Sequence, residues 1–150
     1  DYMVDNFSST RIGTDGIPRY TLSARRMVHY PDDDTTHLDA PKLVSFSNFS
    51  ITATATSKTA MLSSDGENAY LIDDVLLVRS AYAGNSERTM RTTWLHIIPD
   101  DDTAKTDRPV QISDANTLIT SVGLEFNNKT QILKLLSNVR GRYEKSKPAR

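Results

Sequence analysis

Apolar and polar residues alternate along this chain over short segments separated by polar turns. Residues 20–24 alternate in this way, and residues 69–78 form a longer apolar arm that is interrupted at 73–74 by two aspartates. Residues 117–122 and 131–136 are two further apolar segments. A period of two residues gives a strand one apolar face, whereas helical periodicity is poor throughout. The pattern predicts extended strands, with a bulge or kink at 73–74.

One polar phrase occurs twice at the same spacing. Pro-Asp-Asp-Asp-Thr begins at Pro31 and again at Pro99, and each copy is followed by an aspartate and a second proline, Pro41 or Pro109. A weaker copy lies midway, where Val75 takes the place of the second proline. These three anchors are 34 residues apart (41 + 34 = 75; 75 + 34 = 109). A period of this length indicates duplicated architecture and predicts stacked hairpin repeats.

The repeats favour an all-β fold. A fourth copy is predicted at residues 127–130, followed by residues 137–139. Strands at regular spacing with turns between them are typical of an antiparallel sandwich, an open jelly roll or a barrel-like sheet. Because proline cannot donate to a ladder of backbone hydrogen bonds, we expect Pro41 and Pro109 at a bulge or on an edge.

Length and composition narrow the function classes. A chain of 150 residues is long enough for one domain with a buried core, which we place at residues 1–143, followed by a basic C-terminal tail at 144–150. The net charge of −1 gives no reason to expect a nucleic-acid partner. The absence of cysteine excludes disulfides, thiolate zinc sites and cysteine nucleophiles.

The acidic triplets invite a catalytic or calcium-binding interpretation, which the surrounding residues do not support. Neither 32–34 nor 100–102 is followed by the alternating oxygen ligands and the closing glutamate of a calcium loop. Paired catalytic carboxylates face each other across a cleft, whereas aspartates at equivalent hairpin tips cap their own turns. His29, His37 and His96 have no ligand spacing on one element. We therefore predict turns, no metal, no cofactor and no enzymatic activity.

The apolar inner face of the stacked hairpins is the remaining candidate site. Such a trough is normally only hydrophobic core. It becomes a binding site if the sheet is open at its ends and the lining accepts acyl chains. The predicted lining consists of Leu22, Phe46, Leu71, Val75, Leu77, Val110, Ile112, Leu124, Leu133 and Val139.

Several stretches resemble the periplasmic domain of the LptC family of lipopolysaccharide export proteins. They are residues 2–7, 16–24, 28–34, 103–110 and 137–144. The resemblance covers nearly the whole chain in the expected order. It implies an antiparallel jelly roll of OstA-like repeats at the periplasmic face of the inner membrane. It also implies a single N-terminal membrane helix in the full-length protein, and we expect that helix to be absent from this sequence.

The resemblance also implies a route for lipopolysaccharide. The lipid would come from an inner-membrane ABC transporter with the subunits LptF and LptG, and it would pass to the soluble bridge protein LptA. Its acyl chains would lie in the trough. N-terminal edge strands would dock on the transporter, and C-terminal edge strands would pair with LptA. The predicted partner-binding residues are Phe7, Ile12, Leu135, Arg140 and Tyr143.

Two other readings of the sequence stay open. The first is an LptA-like bridge or a structural β-repeat adaptor with a dry core. The second, which the residues support less well, is a carbohydrate-active enzyme that uses the acidic turns. The basic residues Arg140, Arg142 and Lys145 are candidates for contact with lipid phosphates, although a solvated tail explains them at least as well.

Overall fold

The computed structural model describes residues 2–143, which fold into one antiparallel sheet of eleven strands. The expected all-β fold is confirmed. No helix within these residues is long and apolar enough to cross a membrane. The strands are, in chain order, β1 Tyr2–Ile12, β2 Pro18–Tyr30, β3 Thr35–Asp39, β4 Lys42–Ser47, β5 Ser50–Thr56, β6 Thr59–Leu62, β7 Ala69–Arg79, β8 Arg88–Ile98, β9 Thr103–Ser113, β10 Thr117–Asn127 and β11 Ile132–Tyr143. The predicted tail at 144–150 lies outside the described residues.

Long strands and pairs of short strands alternate in the first half of the sheet. β2 pairs with β1 along its length, and on its other side it pairs first with β4 and then with β3. β7 repeats this arrangement with β8 on one side and with β6 and β5 on the other. β9, β10 and β11 then follow in order. Within the described residues, β1 and β11 each pair with one strand and form the two edges of the sheet.

Four of the long strands contain residues with a positive φ near their middle, where the strand bends. Asn6 in β1, Asp73 and Asp74 in β7, Gly123 in β10 and Asn138 in β11 all have a positive φ, which breaks the regular pleat. The ladder between β7 and β8 skips residues between Ile72 and Val75, which confirms the kink predicted at 73–74. The bends fold the sheet onto itself as a jelly roll.

The bends divide the sheet into two layers. What we call the first layer contains residues 7–12, 18–24, 75–79, 88–92, 109–113, 117–122 and 137–143 together with β4 and β5. The second layer contains residues 2–5, 26–30, 69–72, 94–98, 103–107, 124–127 and 132–135 together with β3 and β6. Buried residues of both layers form one apolar cluster between them.

The repeat found in the sequence corresponds to one turn followed by one bend. Pro99–Asp101 forms a 3-10 turn between β8 and β9, and residues 31–34 form the turn between β2 and β3. Asp34 and Asp102 occupy the same place in the two copies and have nearly the same φ, 56° and 54°. The prediction that the acidic phrases are hairpin turns is therefore confirmed.

Pro109 lies at a bulge, as predicted, whereas Pro41 lies between two strands rather than at a bulge or on an edge. Pro41 lies in the gap between β3 and β4, and Pro109 lies within β9 opposite a register shift in β10. The buried residues on either side of Pro109 are all at even-numbered positions, so β9 presents one face to the core along its whole length. They are Ala104, Thr106, Val110 and Ile112.

Gly123 is where a substitution tests the bend most directly. Its φ is +87°, and an added Cβ would lie 2.8 Å from Leu136 Cδ1 and 3.1 Å from Leu136 Cβ. We expect Gly123→Ala to lower the free energy of unfolding by about 2–4 kcal/mol, through backbone strain and overpacking together. Gly66 has a similar φ of +72° but open space around it. Gly66→Ala is therefore the control for backbone strain alone, with an expected loss of about 1–2 kcal/mol. Equal losses in urea unfolding would show that Leu136 moves aside.

Candidate functional site

The two layers enclose an apolar cleft that is nearly filled by its own side chains. Two cavities remain, each of about 30 Å³. One lies between Leu43 of the first layer and Phe126 of the second, and the other lies between Leu77 and Leu133. Each has room for about one water molecule. In this conformation the layers are therefore in contact.

Eight of the ten residues predicted to line the trough lie in this interior. Five are buried in the cluster between the layers, and three are partly buried and pack against it. The buried five are Leu71, Val75, Val110, Ile112 and Leu124, and the other three are Leu22, Leu77 and Leu133. The structure brings these residues together from both layers. Their contact with a lipid stays a prediction.

The other two residues do not lie on the inner face, and that part of the prediction is wrong. The pairing of β4 with β5 shifts between Ser45 and Phe46, and it is Ser45 that lines the cavity. Phe46 is only partly buried and does not belong to the cluster. Val139 follows the bend at Asn138 in the edge strand β11, and it is 53% exposed.

Small residues of β5 line the cleft and were missed in the sequence. Ala53 and Ala55 are buried and border the first cavity, whereas Thr52, Thr54 and Thr56 alternate with them. The period of two was visible in this segment. Alanine was overlooked because it contributes little apolar surface, although its small size lets the opposite layer approach closely.

Polar side chains close the side of the cleft that lies opposite the bends. Tyr20 Oη donates to Asp100 Oδ1 at 3.3 Å, and Arg11 lies 3.8 Å from the same carboxylate oxygen. Asn128 Nδ2 donates to Thr52 Oγ1 at 3.0 Å. Each contact joins a turn of the second layer to a strand of the first. We call these three interactions the closing contacts.

The electrostatics of the closing contacts are consistent with a partly dry rim. Burial, together with the charge of the neighbouring Asp100, raises the pKa of the Tyr20 hydroxyl. Burial raises the pKa of the Asp102 carboxyl beside the same turn. A single side-chain hydrogen bond contributes only about 0.5–1.5 kcal/mol, and an exposed ion pair contributes less. The rim is therefore held closed more weakly than the bends, where continuous strands join the layers.

The predicted partner-binding residues all lie on the two edge strands. Phe7 and Ile12 belong to β1, and Leu135, Arg140 and Tyr143 belong to β11. Phe7 and Leu135 pack against the cluster, whereas Ile12, Arg140 and Tyr143 are exposed. An edge strand presents backbone groups that can pair with an added strand.

The charged turns contain no assembled reaction centre. Asp33 Oδ1 accepts hydrogen bonds from the backbone N–H and the hydroxyl of Thr35, so it caps its own turn. His96 stacks on Tyr70 and bonds Asn68, whereas His29 stacks on Tyr2. Among residues 2–143, no three His, Cys, Asp or Glu side chains are grouped so that they would hold a metal ion.

Comparison with known proteins identifies the family. The family described as "Lipopolysaccharide-assembly, LptC-related" matches residues 1–144. The crystal structure of LptH, the LptA-homologous periplasmic component of the lipopolysaccharide transport device of Pseudomonas aeruginosa, has a similar fold. It superposes with a TM-score of 0.66 over 84% of this chain and 95% of that one, at 6% identity. No curated protein sequence matches this chain. From the family match over nearly its whole length, the chain belongs to the LptC-related family of lipopolysaccharide-assembly proteins.

Proposed function

We propose that this protein is a non-enzymatic carrier that holds the acyl chains of lipopolysaccharide between its two layers. Family membership gives a role in lipopolysaccharide transport. The observation that carries the proposal is the continuous apolar cluster between layers that are joined by strands on one side and by the closing contacts on the other. A cleft of this construction can open along one side without breaking the ladder of backbone hydrogen bonds.

Opening is necessary because the closed cleft has no room for an acyl chain. The two cavities of about 30 Å³ are each far smaller than a chain of many methylene groups. Burying each methylene contributes about 0.8 kcal/mol, so several acyl chains would repay the loss of a few closing contacts and of contacts between the layers. The lipid would thus replace the opposite layer as the apolar neighbour of residues such as Leu77.

Transfer would proceed from one edge of the sheet to the other. In this proposal, β1 pairs with the transporter formed by LptF and LptG, and β11 pairs with the bridge protein LptA. Strand addition at both edges would align the cleft with those of its neighbours. No step requires a reacting group, because the transporter would supply the energy. The protein would act at the periplasmic face of the inner membrane.

A photo-crosslinker at cleft positions tests the carrier function. We expect a photoreactive residue at Leu77 or Val110 to form adducts with labelled lipopolysaccharide, because both side chains face the cleft. The same residue at Asp33, which lies in an exposed turn, is the matched control and should give few adducts. Adducts are measured by denaturing gel and mass spectrometry. Adducts at Asp33 alone would show that the lipid does not enter the cleft.

A further inference from the structure

Two arginines face each other on the side of the cleft that lies opposite the bends. Arg79 ends β7 and Arg88 begins β8, and the two are paired in register. Strand alternation places them on the same face as Leu77 and Met90. Both arginines line the second cavity, together with Leu77, Met90, Ile112, Leu124, Phe126 and Leu133.

The two arginines repel each other, and the nearby Asp114 carboxylate offsets this repulsion only in part. Like charges directly opposite each other on neighbouring strands destabilise a sheet. Burial and the positive charge of Arg88 lower the pKa of Arg79. Arg79 Nη2 donates to the backbone carbonyl oxygen of Ser86 at 2.9 Å, whereas Arg79 Nε is buried without a hydrogen-bond partner. A buried donor without a partner is destabilising, because it has lost its hydrogen bonds to water.

The carboxylate of Asp114 offsets the charge of the pair only in part, since it opposes the lowering of the pKa of Arg79 by burial and by Arg88. Neither arginine has an ion pair with an aspartate or glutamate within 4.0 Å among residues 2–143. The Asp114 carboxylate accepts hydrogen bonds from the backbone N–H groups of Asn116 and Thr117, which commits it to its own turn. Glu87, which precedes Arg88, is exposed.

The strands of the first layer carry an excess of positive charge. The strand segments of the first layer contain no aspartate or glutamate, although the chain as a whole carries a net charge of −1. Among residues 2–143, the carboxylates lie in turns, at bends and in the second layer. The first-layer cations are Arg11, Arg19, Lys42, Arg79, Arg88, Arg91, Arg140 and Arg142. Clustered charge of one sign raises the local concentration of oppositely charged ligands.

We propose that Arg79 and Arg88 bind a phosphate group of the lipid at the mouth of the cleft. The inference rests on the proposed function, because it takes the bound molecule to be an amphiphile whose chains occupy the interior. A phosphate between the two guanidinium groups would accept several charge-assisted hydrogen bonds and would offset their repulsion. It would also place the attached acyl chains beside Leu77 and Met90. The pair would thus recognise the headgroup and set the depth of the chains.

The test compares lipids with and without phosphate. Lipid A and chemically dephosphorylated lipid A are bound to the wild-type chain, to R79Q/R88Q and to R79K/R88K. We expect R79Q/R88Q to bind lipid A about tenfold or more weakly, since hydrogen bonds to charged groups are the stronger class. Dephosphorylated lipid A should bind the wild type and the Gln variant alike. The affinity of R79K/R88K for lipid A should lie between those of the wild type and R79Q/R88Q, because lysine keeps the charge without the bidentate fork.

A matched control and a milder variant separate local from general effects. K42Q/R91Q removes two exposed cations of the same layer and should leave the affinity for both lipids unchanged. R88Q alone keeps the bond from Arg79 to Ser86 and should weaken lipid A binding in the same direction by a smaller factor. R88Q therefore provides the test if R79Q/R88Q fails to fold.

The possible outcomes distinguish the two proposals. Equal wild-type affinity for lipid A and its dephosphorylated form would overturn the phosphate site and leave the carrier function standing. An equal loss of affinity for both lipids in R79Q/R88Q would show that Arg79 and Arg88 do not recognise phosphate specifically. The same conclusion would follow if K42Q/R91Q lost affinity for both lipids. A wild-type chain that binds neither lipid would overturn the carrier function and this inference with it.

Discussion

A covalent bridge between positions 52 and 128 is expected to abolish loading of the cleft with lipopolysaccharide. Thr52 Oγ1 and Asn128 Nδ2 are 3.0 Å apart, in different layers, on the side that must open. The chain contains no native cysteine, so T52C/N128C carries only the two introduced thiols. A short bifunctional thiol reagent would then hold the layers together. Because the closed cavities are near 30 Å³, we expect at least a tenfold loss of crosslinking to lipid at Leu77.

Two controls isolate the effect of closure. The unbridged variant T52C/N128C loses one closing contact and should load lipid at least as well as the wild type. T54C/V78C joins β5 to β7 through residues that are paired within the first layer, so its bridge should leave loading unchanged. Loading is measured by photo-crosslinking before and after bridging. Full loading of the bridged T52C/N128C protein would show that the lipid enters without separation of the layers at this point.

Truncation of Leu95 is expected to give the largest loss of stability among single substitutions in the cleft. Leu95 is 0% exposed and lies in β8 at the centre of the second layer. Leu95→Ala removes buried methyl groups and leaves a cavity that continuous strands on both sides prevent from collapsing. We expect the free energy of unfolding to fall by about 3–5 kcal/mol. Urea denaturation followed by circular dichroism measures this loss.

Leu77→Ala is the matched control, since it makes the same chemical change on the same face of the sheet. Leu77 is only partly buried and borders the second cavity, so its loss should cost less, about 1–2 kcal/mol. The difference between the two variants reports how the interior is divided between rigid core and cleft. Equal losses would indicate that the region around Leu77 is packed as densely as the centre of the sheet.

Much of the fold followed from local patterns. The kink at 73–74, the acidic turns and the bulge at Pro109 were all predicted, because turn and bulge residues act on their own backbone. It was harder to predict which face of each strand is buried on either side of a bend. β9 keeps its buried face across Pro109, whereas in β8 both Thr92 and Leu95 are buried, so the face changes there. A bend can preserve or reverse parity according to its φ and ψ angles, and residue type alone does not determine which.

The candidate site was only partly visible before the layers were assembled. Eight lining residues could be found from periodicity, but Phe46 directly follows the cavity-lining Ser45 and so lies on the other face of β4, and Val139 is exposed in an edge strand. Arg79 and Arg88 lie symmetrically about the turn at Ala83 and Gly84, so a hairpin predicted at this turn would have paired them. Neither their burial nor the absence of an ion pair to either arginine within residues 2–143 could be read from that symmetry.

The sequence by itself determined the repeat, the strands, the turns and the family, because each depends on residues close together in the chain or on their order. The tertiary structure alone decided how the cleft is closed and where its charge lies. Tyr20 and Asp100 are 80 residues apart, and Thr52 and Asn128 are 76 apart. Such contacts form only after successive bends have folded one layer onto the other. They depend on the accumulated geometry of the sheet, which no local pattern of residues encodes.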